Sequence, residues 1–149
     1  MSQTNTDVHI ELHVPDFKKV IEFYGILEFE VVWIDERYLV MKKGDSYINF
    51  YEGSERVYRH SYFKDFPNDT KRGYAVEIVI PQDDIDTFYN LVKDKVKVVQ
   101  SLKLKWWGKR DFRVEDPFGF YLRFTERYDW INDKEKISEL REFLRKIGL

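Results

Sequence analysis

A run of alternating residues that ends in proline occurs twice in this chain, and the repetition fixes what the rest can fold into. His9-Ile10-Glu11-Leu12-His13-Val14-Pro15 matches Ala75-Val76-Glu77-Ile78-Val79-Ile80-Pro81 at a constant offset (75 − 9 = 66). Repetition of this kind means that the second half builds the same supersecondary unit as the first. Each run has the period-2 alternation of a half-buried strand, and proline suits a strand end because it has no N–H to give to a ladder.

An acidic cap and an amphipathic helix follow in both copies. Asp16 leads into Phe17, Val20, Ile21 and Tyr24, and Asp83 or Asp84 leads into Ile85, Phe88, Leu91 and Val92. Three strand-like runs come next in each half, 29–34, 38–41 and 47–51 in the first and 96–102, 112–115 and 120–125 in the second. Asp116-Pro117-Phe118-Gly119 divides the last two, a turn in which proline presets its own φ and glycine accepts a positive one. The expected fold class is α+β, with two tandem βαβββ modules over about 8–52 and 72–127 in one domain. A tyrosine-rich linker or ordered loop joins them over about 53–71. A last amphipathic helix over about 132–147, capped by Asn132 or Asp133, carries Ile137, Leu140, Phe143, Leu144 and Ile147 on one face. That face is expected to cover an apolar surface of its own chain or of a partner.

Composition narrows the function classes. With 25 Lys+Arg against 27 Asp+Glu, a net charge of −2 gives no general reason to expect a nucleic-acid partner. The lysine runs at 93–97 and 103–105 read as solvated edges. At 43% hydrophobic and 17% aromatic residues the chain has the apolar side chains for a packed core. It contains no cysteine, which removes disulfides, thiol nucleophiles and thiolate metal sites. No stretch approaches a membrane span, and MSQTNTDVHI lacks the pattern of a leader. A soluble cytoplasmic protein with no membrane partner is the expectation.

The opening HIELHVPDFKKVIEFYG and the closing WGKRDFRVEDPFGFYLRFTE, set in two βαβββ modules, resemble the vicinal oxygen chelate superfamily from about Val8 to Glu126. That superfamily includes glyoxalase I, extradiol dioxygenases, fosfomycin-resistance enzymes and bleomycin-resistance proteins. The resemblance implies that the modules' sheets curl into an open, barrel-like cup with a ligand or metal inside. In metal-dependent members the ligands come from the start of the first strand and the middle of the last strand of each module. Carried over to this chain, those positions hold His9, Asn49, Ala75 and Arg123, with Asn49 and Arg123 as repeat partners (123 − 49 = 74).

Chemistry disfavours a metal in that set. A catalytic metal site draws on about three protein donors of imidazole or carboxylate type. Arginine has no lone pair to give and stays protonated, alanine offers nothing, and asparagine supplies a weak carbonyl oxygen. A rearranged site is the alternative: His9, Glu11 and His13 share one strand face, and Glu77 lies on its repeat. His9, Glu11 and Glu77 would then hold Ni, Zn, Mn or Fe in a metal-dependent lyase or dioxygenase. The competing reading pairs Glu11 and Glu77 with Arg123 or another base.

The leading expectation is a metal-independent protein that binds or sequesters a small molecule, with no catalytic residue assigned. By alternation its cup is lined by His9, Glu11, Tyr47, Asn49, Tyr51, Glu77, Tyr121 and Arg123, with Trp107 and Trp33 as flat walls. Arg123 would offer its fork of donors to a carboxylate, phosphate or carbonyl. The Trp-Gly before the closing strand resembles the bleomycin-resistance branch, whose members sequester a drug without chemical change. A homodimer is implied by the same likeness.

Overall fold

The computed structural model describes residues 8–149, which form eight strands and three α-helices. The first module runs β1 (Ile10–Val14), α1 (Phe17–Ile26), β2 (Glu30–Ile34), β3 (Tyr38–Lys43) and β4 (Ser46–Glu52). The second runs β5 (Glu77–Pro81), α2 (Ile85–Val92), β6 (Lys97–Leu104), β7 (Arg110–Glu115) and β8 (Tyr121–Thr125), and α3 (Lys134–Lys146) follows. The sheets have the same order, β1-β4-β3-β2 and β5-β8-β7-β6, each with its one parallel ladder between first and last strand. The α+β pattern of two βαβββ modules and a C-terminal helix is thus as the sequence implies. The two four-stranded sheets stay separate and do not close into a barrel.

Strand alternation divides each sheet into a core face and an open face. In the first module Leu12, Val14, Leu39, Met41, Ile48 and Phe50 are buried against Val20, Phe23 and Tyr24 of α1, which recur at helical spacing. In the second, Ile78, Ile80, Phe112, Val114, Leu122 and Phe124 meet Ile85, Phe88 and Val92 of α2. Phe112 and Phe124 face one another across the β7–β8 ladder with rings stacked at 17° and 5.3 Å between centroids. Burying a large apolar side chain contributes roughly 1.5–3 kcal/mol, so these faces set both strand register and helix placement.

The two modules are tied by reciprocal contacts between one module's turn and the other's helix. Tyr24 of α1 reaches the β7–β8 turn, where its hydroxyl donates to Asp116 Oδ2 at 2.9 Å. Lys43, at the β3–β4 turn, lies 4.3 Å from the centroid of Phe88 in α2. Burial lowers the Lys43 ammonium pKa, and the nearby Glu28 opposes that shift.

Local chemistry explains the element ends. Asp16 caps α1 by accepting from Lys19 N at 3.1 Å. Asp84 stands at the N-cap of α2 with φ 47°, and its side chain makes no capping bond. Asp83 is not a cap either: it pairs with Arg127 at 2.8 Å. In the closing turn Asp116 Oδ1 accepts from Phe118 N at 2.8 Å and Phe120 N at 2.9 Å, and Gly119 takes φ 95°.

The segment between the modules is ordered. It contains short 3-10 helices at Glu55–Arg59 and Phe63–Asp65 and is anchored at both ends. Gly53 N donates to Val14 O at 3.0 Å, and Arg72 donates to His13 O at 2.6 Å. His13 of β1 packs its ring against His60 (4.8 Å) and Phe63 (5.2 Å) of this segment. By contrast, no residue of α3 is buried: Ile137, Leu140, Phe143 and Leu144 remain exposed, so its apolar face does not cover the chain's own sheets.

Candidate functional site

The open face of the first sheet carries a hydrogen-bonded row that starts on the edge strand. Glu11 stands opposite Asn49 and His13 opposite Tyr51 in the parallel ladder, while β3 sets Tyr38 beside Tyr51 and Val40 beside Asn49. Tyr38 Oη donates to Glu11 Oε1 at 2.6 Å, Asn49 Nδ2 donates to Tyr38 Oη at 3.1 Å, and His13 Nε2 donates to Glu11 Oε2 at 3.0 Å. Burial, and then the Glu11 carboxylate, raise the Tyr38 hydroxyl above its ordinary value. Tyr47 lies half-buried on the same face under Lys42, and Tyr51 packs on His13 at 4.8 Å. Both Glu11 oxygens are therefore engaged within the protein.

The open face of the second sheet is built around two guanidinium groups. Arg113 and Arg123 are directly opposed in the β7–β8 ladder, and both turn to Glu77 on β5: Arg113 Nε lies 2.9 Å and Arg123 Nε 3.8 Å from Glu77 Oε1. Arg113 also donates to Gln100 Oε1 at 3.0 Å, and Gln100 Nε2 donates to the buried Asp111 at 2.9 Å. Lys105 joins the same group through Gln100 Oε1 and lies 3.9 Å from Asp111 Oδ1. Burial, and next the charge of Arg113, lower the Lys105 pKa. Read from sequence as part of a solvated edge, Lys105 instead folds inward because the buried carboxylate needs a counter-charge. Trp107 lies 5.9 Å from the Arg123 guanidinium, and its Nε1 is buried with no hydrogen-bond partner. The Nε of Arg113, the Nε of Arg123 and Oδ2 of Asp111 also lack one, so the contacts of both arginines to Glu77 are ion pairs without hydrogen-bond alignment.

Placed against the sequence reading, Glu11, Asn49 and Tyr51 join one row, and Glu77, Arg123 and Trp107 join the other. Tyr121 is half-buried opposite Glu77 and Glu115. Trp33 is exposed on the edge strand β2. His9 and Ala75 precede their strands, and Ala75 sits at φ 62° in a turn closed by Val76 N donating to Gly73 O. The ladders also refine the repeat. Keeping the offset of 66 on the first strands, Glu11 faces Asn49 while Glu77 faces Tyr121 (121 − 49 = 72), so Arg123 corresponds in ladder position to Tyr51. Tyr38, Gln100, Lys105, Asp111 and Arg113 belong to the site and were not singled out from sequence. For Asp111 and Arg113 a signal existed in the alternation of Arg110–Glu115.

The family's metal positions do not fit a dication here. Arg123 is a fixed cation among two others, Asn49 gives its Nδ2 to Tyr38 and could offer a metal only its weak carbonyl oxygen, and Ala75 has no donor side chain. Among the described residues no three or more His, Asp or Glu side chains gather as a metal cluster. Glu11 and Glu77, the candidate rearranged ligands, are held in separate networks by Tyr38 and His13 and by Arg113 and Arg123.

Two βαβββ modules, each with the strand order of the other, define a vicinal-oxygen-chelate fold. The chain belongs to the Glyoxalase/Bleomycin resistance protein/Dioxygenase superfamily, whose family model matches residues 8–124. Its fold is similar to that of a bleomycin-binding protein solved with bleomycin, at 19% identity over 83% of this chain and 100% of the other, with a TM-score of 0.60. A bleomycin resistance determinant encoded on the transposon Tn5 aligns at 20% identity over 84% and 100% of the two chains, TM-score 0.61. A superfamily protein from Alicyclobacillus acidocaldarius aligns at 17% identity over 87% and 96%, TM-score 0.62. No curated protein matches the chain. At these identities the solved structures share the fold with this protein, and function must come from the site.

Proposed function

We propose that this protein binds or sequesters a small molecule without a metal, taking an anionic or carbonyl-bearing group on the Arg113–Arg123 pair. The observation that carries this reading is the convergence of both guanidinium groups on the single carboxylate of Glu77, at 2.9 and 3.8 Å. Three cationic side chains (Lys105, Arg113, Arg123) face two anionic ones (Glu77, Asp111) on this surface, so it keeps an excess positive charge. A carboxylate or polarised carbonyl suits such a surface, and Trp107 offers a flat ring beside it. The neighbouring bleomycin-binding protein lends the general mode of drug capture; the ligand of this chain is read from its own residues.

The same reading makes the protein a cytoplasmic homodimer in which the open faces of two copies enclose the ligand. Among the described residues no helix is long and apolar enough to cross a membrane. All five residues of β2, including Val31, Trp33 and Ile34, are exposed at the sheet edge, as a partner surface would be. Sedimentation of the purified chain reads the oligomeric state. For the ligand, a thermal-shift screen of aryl carboxylates, phosphate esters and carbonyl compounds should give hits whose stabilisation falls in an Arg123→Ala variant. Hits that stabilise both proteins equally would remove Arg123 from the site. The alternative, a metal-dependent lyase or dioxygenase, requires stoichiometric Ni, Zn, Mn or Fe that is lost in a His9→Ala variant.

A further inference from the structure

The ordered segment between the modules creates a feature that the repeat does not explain. It roofs a cavity of about 480 Å³ against the edge strand β1. The cavity is largely apolar, lined by Ile10 and Leu12 of β1, by Val57, Phe63 and Phe66 of the inter-module segment, and by Val76. This size and lining fall in the range of small-molecule pockets. The roof is fixed, since His60 and Phe63 pack on His13 at 4.8 and 5.2 Å and on each other at 5.0 Å.

Two cationic side chains line this cavity, Lys71, which is exposed, and Arg72. Arg72 is half-buried, with one nitrogen donating to His13 O at 2.6 Å and its guanidinium 5.3 Å from the Tyr58 ring. No carboxylate among the described residues forms an ion pair with it. Glu11 also borders the cavity, but its oxygens are taken by Tyr38 and His13. A half-buried guanidinium in an apolar cavity favours an anion that brings its own apolar body.

We infer that the cavity between β1 and the inter-module segment is a second ligand site, which takes an aromatic or aliphatic carboxylate with Arg72 as the counter-charge. This site is separate from the Arg113–Arg123 face and does not rest on the reading of that face.

The test is titration of the ¹⁵N-labelled full chain with 2-naphthylacetate, 4-phenylbutyrate and decanoate, each beside its neutral primary amide. Saturable shifts are expected at Val57, Tyr58, Arg72 and Val76 for at least one carboxylate. Its affinity should fall about tenfold in the amide and in Arg72→Gln, the scale of one charge-assisted hydrogen bond, and recover in part in Arg72→Lys. Val76→Trp, a substitution at an exposed position that fills the cavity, should abolish the shifts without unfolding the chain. Arg123→Ala should leave them in place, whereas a ligand of the open face loses affinity in that variant. The inference is overturned if none of the three carboxylates saturates at millimolar concentration, if acid and amide bind alike, or if Val76→Trp binds undiminished.

Discussion

The hydroxyl of Tyr24 and the carboxylate of Asp116 meet at 2.9 Å in the buried seam between the two modules. Burial, and then Asp116, hold the Tyr24 hydroxyl well above its ordinary pKa, and burial raises Asp116 against the pull of three backbone N–H groups and Tyr24. One side chain thus shapes the closing turn and ties it to the first module's helix. Tyr24→Phe should cost about 1–2 kcal/mol of stability, and Asp116→Ala about 3 kcal/mol because two turn N–H groups lose their acceptor as well. Urea unfolding measures both, as a lower midpoint with an unchanged slope.

Two buried carboxylates titrate in opposite senses. Burial pushes Glu52 up, but hydrogen bonds from Arg37 and Ser54 and the charges of Arg37 and Arg56 outweigh it and leave its pKa below the ordinary 4.5. Its contribution is present above that ordinary value and is lost as pH falls through the depressed one. Asp116, raised in the folded state, contributes fully below its ordinary 3.8, and this contribution is lost as pH rises through the raised value. Melting curves against pH should therefore lose part of their acid-side fall in Glu52→Gln. Asp116→Asn should flatten the slope on the other side. The opposite pattern would mean that the Arg37–Glu52 contact, 3.1 Å here, is not kept in solution.

Gly53 is the hinge from β4 into the inter-module segment. It takes φ +66°, directly after Glu52 at φ 81°, and a Cβ there would lie 2.6 Å from the Phe17 ring. Gly53→Ala should destabilise by about 2–3 kcal/mol, from left-handed strain together with displacement of a ring packed on the core. A midpoint within experimental error of the wild type would show that the ring yields freely.

Glu77 separates the two readings of the open face. If it neutralises Arg113 and Arg123, then Glu77→Gln frees the pair and should tighten an anionic ligand severalfold at low salt, with the gain shrinking as salt rises. If it were a metal ligand, the same change would weaken binding. Calorimetric titration of a thermal-shift hit at two ionic strengths distinguishes them.

Much of this architecture is legible in the sequence because period-2 alternation and a repeat offset of 66 residues carry it. Leu12 and Val14 against Glu11 and His13 already sort the core face from the open face. The site was legible only in part. Tyr38, Gln100 and Lys105 enter through cross-strand partners, which depend on registers that bulges shift, as between Val98, Gln100 and Lys103. The ladder match of Arg123 to Tyr51 is hidden because it depends on which residue of the first strand each last-strand residue faces, and the two modules differ in the chain length between those strands. The cavity under the inter-module segment depends on where two short 3-10 helices settle, and no periodicity encodes that position.

The most direct test of the paired arginines is calorimetry of one ligand against chelator-treated and untreated protein, with metal content measured on the same samples. Equal affinity in both, with metal far below one per chain, is expected. Stoichiometric metal in the untreated protein, with binding lost on chelation and restored when the ion is returned, would contradict a guanidinium-based site.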